Sequence, residues 1–115
     1  MRTLLRNARI VLPEQVLESG RLLIQDGQIV HIFDDPSAES VNADSIIELD
    51  GASVFPGFID MHIHGAIGVD VNSATASDLL RVSEFLASRG VTGWLPTLVP
   101  AGPEQYRRVI AAISE

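Results

Sequence analysis

Length, composition and charge set the first bounds on this protein. Its 115 residues suffice for one domain, and 46% hydrophobic with 20% charged residues is typical of a globular chain. The net charge of −7 argues against a nucleic-acid or anionic-membrane surface, and the lack of cysteine excludes disulfides and thiolate metal sites. No apolar run approaches the about 20 residues of a membrane-spanning helix. We expect a cytoplasmic protein.

The first half of the chain predicts short strands and turns. Apolar patterns predict strands over residues 3–12, 21–25 and 28–33, and Asp26-Gly27 between the last two is typical of a tight hairpin turn. Residues 34–45, which include Pro36, predict a polar surface loop. Two more short strands follow over residues 45–49 and 52–55. Residues 1–54 therefore predict part of a small antiparallel sheet or β-sandwich.

The second half, residues 55–115, alternates strands with helices. Strands are predicted over residues 58–64 and 91–99, and helices over residues 79–89 and from Pro103 onward. Thr75 and Asp78 have the spacing of a capping box at the first helix, and Gly90 suits its end. Two strand–helix units in succession predict a parallel sheet and an α/β fold. The apolar second strand calls for another neighbour, so we expect this sheet to be incomplete within the chain.

The predicted strand over residues 58–64 carries the chemistry. Asp60, His62 and His64 lie two residues apart, so they share one face of a strand, with the histidines about 6–7 Å apart at the backbone. Two imidazoles placed in this way can bind one divalent ion, and Asp60 could accept a ring N–H from His62 and fix its tautomer. Taken alone, the pattern is equally compatible with two surface or packed histidines.

Other polar residues are weaker candidates. His31 lies in an apolar run and is interpreted as a surface or packed histidine of a sheet. Asp70 and Asn72 follow the histidine strand and are interpreted as loop-capping residues rather than substrate contacts. Trp94 is interpreted as a residue that packs within the fold, whereas Thr97, near the carboxyl end of its strand, could face the site.

Several segments resemble the amidohydrolase superfamily. Residues 56–65, PGFIDMHIHG, resemble its first barrel strand, whose signature is Pro-Gly-x-Ile-Asp-x-His-x-His, and residues 24–29, IQDGQI, resemble its amino-terminal hairpin. Residues 64–70, HGAIGVD, and 90–97, GVTGWLPT, are similar to the N-acetylglucosamine-6-phosphate deacetylase family. Dihydroorotases and hydantoinases usually carry an aromatic residue and an acidic-Pro-Gly element after the second histidine, and this chain lacks both.

This resemblance implies a fold, a reaction and a metal site. The fold is a TIM-type (β/α)8 barrel preceded by a β-sandwich, with residues 1–54 in the sandwich and residues 55–115 forming the first two β/α units. The reaction is hydrolysis of N-acetylglucosamine 6-phosphate by a homodimer that uses one or two divalent ions, Zn or Fe, with His62 and His64 as ligands. The family's other ligands and its catalytic Asp have no counterpart here, so the segment alone is expected to be inactive.

Two alternatives stay open. Another amidohydrolase, acting on a cyclic amide or an N-acyl amino acid, would share the metal site and differ in its substrate pocket. A non-catalytic, truncated module would instead associate with another chain through the free edge of the strand over residues 91–99.

Overall fold

The computed structural model describes residues 1–35 and 41–115 and divides the chain into two compact units, Met1–Pro56 and Gly57–Glu115. The predicted loop over residues 34–45 lies partly outside the described residues, and so does Pro36. Neither helix of the described chain is long and apolar enough to cross a membrane.

The first unit is a five-stranded sheet, with β3-β2-β1-β4 in order and β5 also paired to β1. Its strands are β1 (Arg2–Val11), β2 (Val16–Gln25), β3 (Gln28–Phe33), β4 (Ser45–Glu48) and β5 (Ser53–Val54). The core of this unit is built on Ala8, Ile10 and Leu22. The β2–β3 hairpin is confirmed, since Asp26 and Gly27 have φ angles of 51° and 78°.

The prediction of an antiparallel sheet is wrong in part, because this sheet is mixed. β1 is antiparallel to β2 but parallel to β4 and β5, with Thr3 opposite Ser45 and Arg9 opposite Ser53. The long connection between β3 and β4 gives the chain enough length to return to the far side of β1, which a tight turn could not do. β2 also begins earlier than predicted, at Val16 rather than residue 21.

The second unit contains two strand–helix pairs. Its elements are β6 (Phe58–Ile63), α1 (Ala76–Ala87), β7 (Val91–Pro96) and α2 (Pro103–Ser114), with a short 3-10 helix at Val71–Ser73 before α1. β6 and β7 are parallel, as predicted. One buried cluster of this unit contains Val71, Ala74, Leu79 and Val109, with Trp94 packed against it.

The boundaries of these elements follow local chemistry. Thr75 and Asp78 form the predicted capping box at the start of α1, so this helix begins at Ala76. Pro103 is the first residue of α2, where its missing N–H costs no helical hydrogen bond. β6 ends one residue before His64, and β7 ends at Pro96, before the predicted residue 99.

Two apolar side chains of β6 are mostly exposed. Ile59 is 70% exposed and Met61 73% exposed. In the described part of the second unit, α1 packs against β7, and α2 packs against the 3-10 helix and α1. Apolar side chains on β6 therefore remain in contact with solvent.

Candidate metal centre

The candidate site lies where the parallel strands β6 and β7 end. Ile63 is opposite Pro96 in the register of the pair, and the Thr97 N–H donates to the Ile63 carbonyl at 2.8 Å. His62 is on β6 and His64 directly follows it. Parallel pairing therefore brings the residues after both strands to the same edge of the sheet.

The two predicted histidines converge. Nε2 of His62 lies 3.2 Å from Nε2 of His64, and the rings are nearly perpendicular, with centroids 4.9 Å apart. Both side chains are exposed. Two nitrogens that each lie about 2.0–2.1 Å from one tetrahedral ion are separated by about 3.3 Å. The donor pair therefore fits two ligand positions of a single divalent ion.

The tautomer of His64 follows from its other ring nitrogen. Nδ1 lies 3.0 Å from the carbonyl oxygen of Thr97. A carbonyl oxygen can only accept, so Nδ1 carries the proton and donates it. In the neutral ring Nε2 then holds a lone pair, which is the form that binds a metal. With Nε2 of the neutral His64 ring as the acceptor, His62 donates the 3.2 Å hydrogen bond from its own Nε2.

Asp60 has a different partner from the one predicted. Its carboxylate accepts from the backbone N–H of His62 at 3.0 Å, whereas the ring of His62 contacts the ring of His64. The carboxylate is drawn to the peptide N–H two residues ahead, a local contact that competes with longer ones. Asp60 thus stabilises the main-chain conformation at His62.

A complete ligand set is not present in the described residues. Residues 1–35 and 41–115 contain no group of three or more histidine, cysteine, aspartate or glutamate side chains that could hold a metal ion. Structural zinc sites have four protein ligands and catalytic ones usually three. The two histidines alone are therefore too few donors for a complete metal site.

Asp70 and Asn72 are structural, as interpreted from the sequence. The Asp70 carboxylate accepts from the Asn72 N–H at 2.9 Å and caps the 3-10 helix. Asn72, which is only 6% exposed, donates from Nδ2 to the Val99 carbonyl at 3.1 Å and accepts from the Val99 N–H at 3.0 Å. Its own carbonyl accepts from Gln105 and Arg108 of α2. Asn72 therefore clamps the segment after β7.

The loop after His64 turns sharply. Gly65 has φ 133°, and a Cβ there would lie 2.0 Å from the Val69 carbonyl oxygen, so no other residue fits. The loop closes where the Val71 N–H donates to the His64 carbonyl at 2.9 Å. This return brings the buried 3-10 helix back beside the histidine strand.

The remaining candidates fall into place. His31 is an exposed residue of β3 whose ring lies 4.2 Å from that of Phe33, which confirms a surface role. Trp94 packs against the core and donates from Nε1 to Ser83 of α1 at 2.9 Å, which confirms packing. Thr97 does face the site. Sequence reasoning missed that its contact to His64 is made by its main chain, for which no side-chain pattern gives a signal.

Several known proteins are similar to this chain in sequence. The chain matches no protein-family model. It is 36% identical to human N-acetylglucosamine-6-phosphate deacetylase in an alignment 111 positions long, which covers 86% of this chain and 26% of that protein. It is also 36% identical to N-acetylgalactosamine-6-phosphate deacetylase of Escherichia coli O157:H7 over 101 residues, which are 88% of this chain and 25% of that protein.

A solved structure shows the same fold. The crystal structure of N-acetylglucosamine-6-phosphate deacetylase from Pasteurella multocida superimposes with a TM-score of 0.87 at 24% identity, over 99% of this chain and 30% of that one. The chain thus spans about a quarter of the length of the curated relatives it matches. It belongs to the N-acetylglucosamine-6-phosphate deacetylase branch of the amidohydrolase family and matches the amino-terminal segment of those proteins.

Proposed function

We propose that this chain is the amino-terminal segment of a metal-dependent deacetylase that hydrolyses N-acetylglucosamine 6-phosphate to glucosamine 6-phosphate and acetate. The observation that carries the proposal is the 3.2 Å approach of two imidazole nitrogens at the carboxyl end of a parallel strand. Barrel enzymes place their active sites at such ends. The activity is assigned to a longer protein, and the segment alone is expected to be inactive.

The fold of the longer protein is part of the proposal. The sheet of β1 to β5 would be part of a β-sandwich, and β6-α1-β7-α2 would be the first two units of a TIM-type (β/α)8 barrel. Two parallel strands, each followed by a helix, support this assignment.

His62 and His64 would hold a divalent ion, Zn or Fe, with one or two ions in the complete protein. When bound, such an ion polarises the acetamide carbonyl and makes water a stronger nucleophile. This chain's own contribution is to place two ring nitrogens side by side, with the Thr97 carbonyl leaving Nε2 of His64 free to bind. The remaining ligands, and the carboxylate that moves a proton to the departing amine, would come from outside the described residues.

The substrate class is a 2-acetamido sugar 6-phosphate. The names of the human and Escherichia coli relatives share this chemistry and differ in the sugar, glucosamine in one and galactosamine in the other, at the same 36% identity. N-acetylgalactosamine 6-phosphate is therefore the second candidate substrate. A sugar phosphate is retained inside cells, so the proposed enzyme is cytoplasmic. The complete protein is also proposed to be a homodimer.

The proposal is tested with the product of the complete gene and with the 115-residue chain. The complete product should release acetate from N-acetylglucosamine 6-phosphate, and the double variant His62→Ala with His64→Ala should lower that rate at least tenfold. The 115-residue chain should release none. Its free energy of Zn binding should be far smaller than the about 10–16 kcal/mol of four-ligand structural sites.

Three results would count against the proposal. Acetate release by the 115-residue chain would show that the catalytic groups lie within it. A complete product that cleaves a cyclic amide or an N-acyl amino acid, and no sugar phosphate, would move the protein to another amidohydrolase branch. A complete product with no hydrolytic activity on any of these would favour a non-catalytic module.

A further inference from the structure

Thr97 makes an unusual set of contacts beside the histidine pair. Its N–H donates to the Ile63 carbonyl at 2.8 Å, and its Oγ1 accepts from the Ile63 N–H at 3.1 Å. The same hydroxyl donates to the Leu95 carbonyl at 3.2 Å, and the Thr97 carbonyl accepts from Nδ1 of His64 at 3.0 Å. One residue thus satisfies both main-chain polar groups of Ile63 and one ring nitrogen of His64.

These contacts restrain both ends of the His64 side chain. Ile63 immediately precedes His64, so holding its peptide groups fixes the direction in which the backbone leaves β6. The carbonyl contact fixes the rotation of the ring and its tautomer. Neutral histidine in water favours a proton on Nε2, which would block the nitrogen that faces His62. The Thr97 carbonyl reverses that preference.

The segment that carries Thr97 is itself held in place. Val99, two residues further on, exchanges two hydrogen bonds with the buried amide of Asn72. A main-chain carbonyl can orient a ring only if its own peptide is rigid, and this clamp supplies the rigidity. Asn72 therefore holds the segment that carries Thr97, and Thr97 in turn orients His64.

We propose that Thr97 is a positioning residue, whose main-chain carbonyl keeps His64 in its Nδ1–H form and whose hydroxyl holds that carbonyl in register with β6. The proposal rests on the proposed function only in taking His64 as a metal ligand. It predicts that a side chain with no metal contact controls metal affinity. Loss of such outer hydrogen bonds typically weakens metal affinity about 10–100-fold.

The test compares three variants of the 115-residue chain. Thr97→Val removes only the hydroxyl at nearly constant shape, Thr97→Ser restores it, and Thr92→Val is the matched control. Thr92 lies on β7, the strand that Thr97 directly follows, and its hydroxyl makes a long 3.5 Å contact with the Phe58 carbonyl. Nitrogen-15 NMR of the metal-free protein at mildly alkaline pH reports the His64 tautomer, and calorimetry with Zn²⁺ reports affinity.

We expect wild type, Thr97→Ser and Thr92→Val to show the proton on Nδ1 of His64. Thr97→Val should shift His64 toward the Nε2–H form and weaken Zn²⁺ binding about tenfold. A wild-type protein with the proton on Nε2 would overturn the proposal, even if Thr97→Val failed to fold. So would a folded Thr97→Val protein with the wild-type tautomer.

The two proposals fail in different ways. If wild type does not bind Zn²⁺ but Thr97→Val still shifts the tautomer, the positioning role stands and the metal assignment fails. If Zn²⁺ binds with equal affinity to wild type and Thr97→Val, and the tautomer is unchanged, the metal assignment stands and the positioning role fails.

Discussion

Ile67 adopts a backbone conformation that its side chain disfavours. Its φ of 49° lies in the left-handed region, and Gly68 follows with φ 79°. Asp26-Gly27 and Asp50-Gly51 have nearly the same angles, 51° and 78° in one and 49° and 81° in the other. Aspartate tolerates this region through local hydrogen bonds, whereas a β-branched residue does not. The strained turn lies in the loop that follows the histidine pair.

Replacing Ile67 with Asn should relieve this strain. Asn-Gly is the preferred pair for such a turn, and the left-handed region costs other L residues about 1–2 kcal/mol, so Ile67→Asn should raise the free energy of unfolding by about 1 kcal/mol. Leu80→Asn is the control, because Leu80 is also apolar and exposed, at 62% against 45% for Ile67, but lies in helix α1. That change should lower the free energy by about 0.5 kcal/mol. Urea denaturation measures both, and a loss of stability in Ile67→Asn would disprove the strain.

The capping box makes α1 sensitive to acid. Oγ1 of Thr75 accepts from the Asp78 N–H at 3.2 Å, while the Asp78 carboxylate accepts from the Thr75 hydroxyl at 2.7 Å and from its N–H at 3.1 Å. The hydroxyl, followed by that N–H, lowers the pKa of Asp78 below the ordinary value of an aspartate. A lowered pKa stabilises the fold above the unfolded-state pKa, and this contribution is lost as the pH falls through the folded-state pKa.

Thr75→Ala should therefore have two effects. At neutral pH it should lower the free energy of unfolding by about 1 kcal/mol, the usual effect of losing an N-cap side chain. It should also reduce the loss of stability below about pH 4, because the pKa of Asp78 would return toward that of the unfolded chain. Ser77→Ala, an exposed change one residue into the helix, is the control. Denaturation curves at several pH values would contradict this if both variants had the same acid dependence.

At the scale of the whole molecule, the β6–β7 pair leaves apolar surface in water. Ile59 and Met61 of β6 are 70% and 73% exposed, and Leu95 of β7 is 57% exposed. In the described residues this sheet has only two strands, so each strand also presents an unpaired edge. Exposed edges with apolar side chains favour association with another chain.

We expect the 115-residue chain to associate with itself at rising concentration. Combining Ile59→Thr with Met61→Gln should weaken the association about tenfold, which corresponds to about 1.4 kcal/mol of lost apolar burial. Ile110→Gln, at an exposed position of helix α2, should leave it unchanged. Static light scattering measures the average mass, and a monomer at every concentration would contradict the expectation.

What the sequence could predict was set by local chemistry. The Asp26-Gly27 hairpin, the Thr75–Asp78 capping box and the shared direction of His62 and His64 depend on neighbours within four residues, and the structure agrees with each. The parallel pairing of β1 with β4 depends on partners about 40 residues apart. The periodicity of a strand does not indicate which distant strand it will pair with. The Thr97 contact to His64 is made by a main-chain oxygen, which every residue carries.

The turn at Gly65 has a practical consequence for mutagenesis of the loop that follows the histidines. Randomising codons 66 to 70 samples a loop beside the histidines, but including codon 65 would sacrifice nearly every clone in which glycine is lost, because the Val69 carbonyl occupies the space of any added methyl group. A library that holds this one codon constant should therefore contain a larger folded fraction than one that varies it.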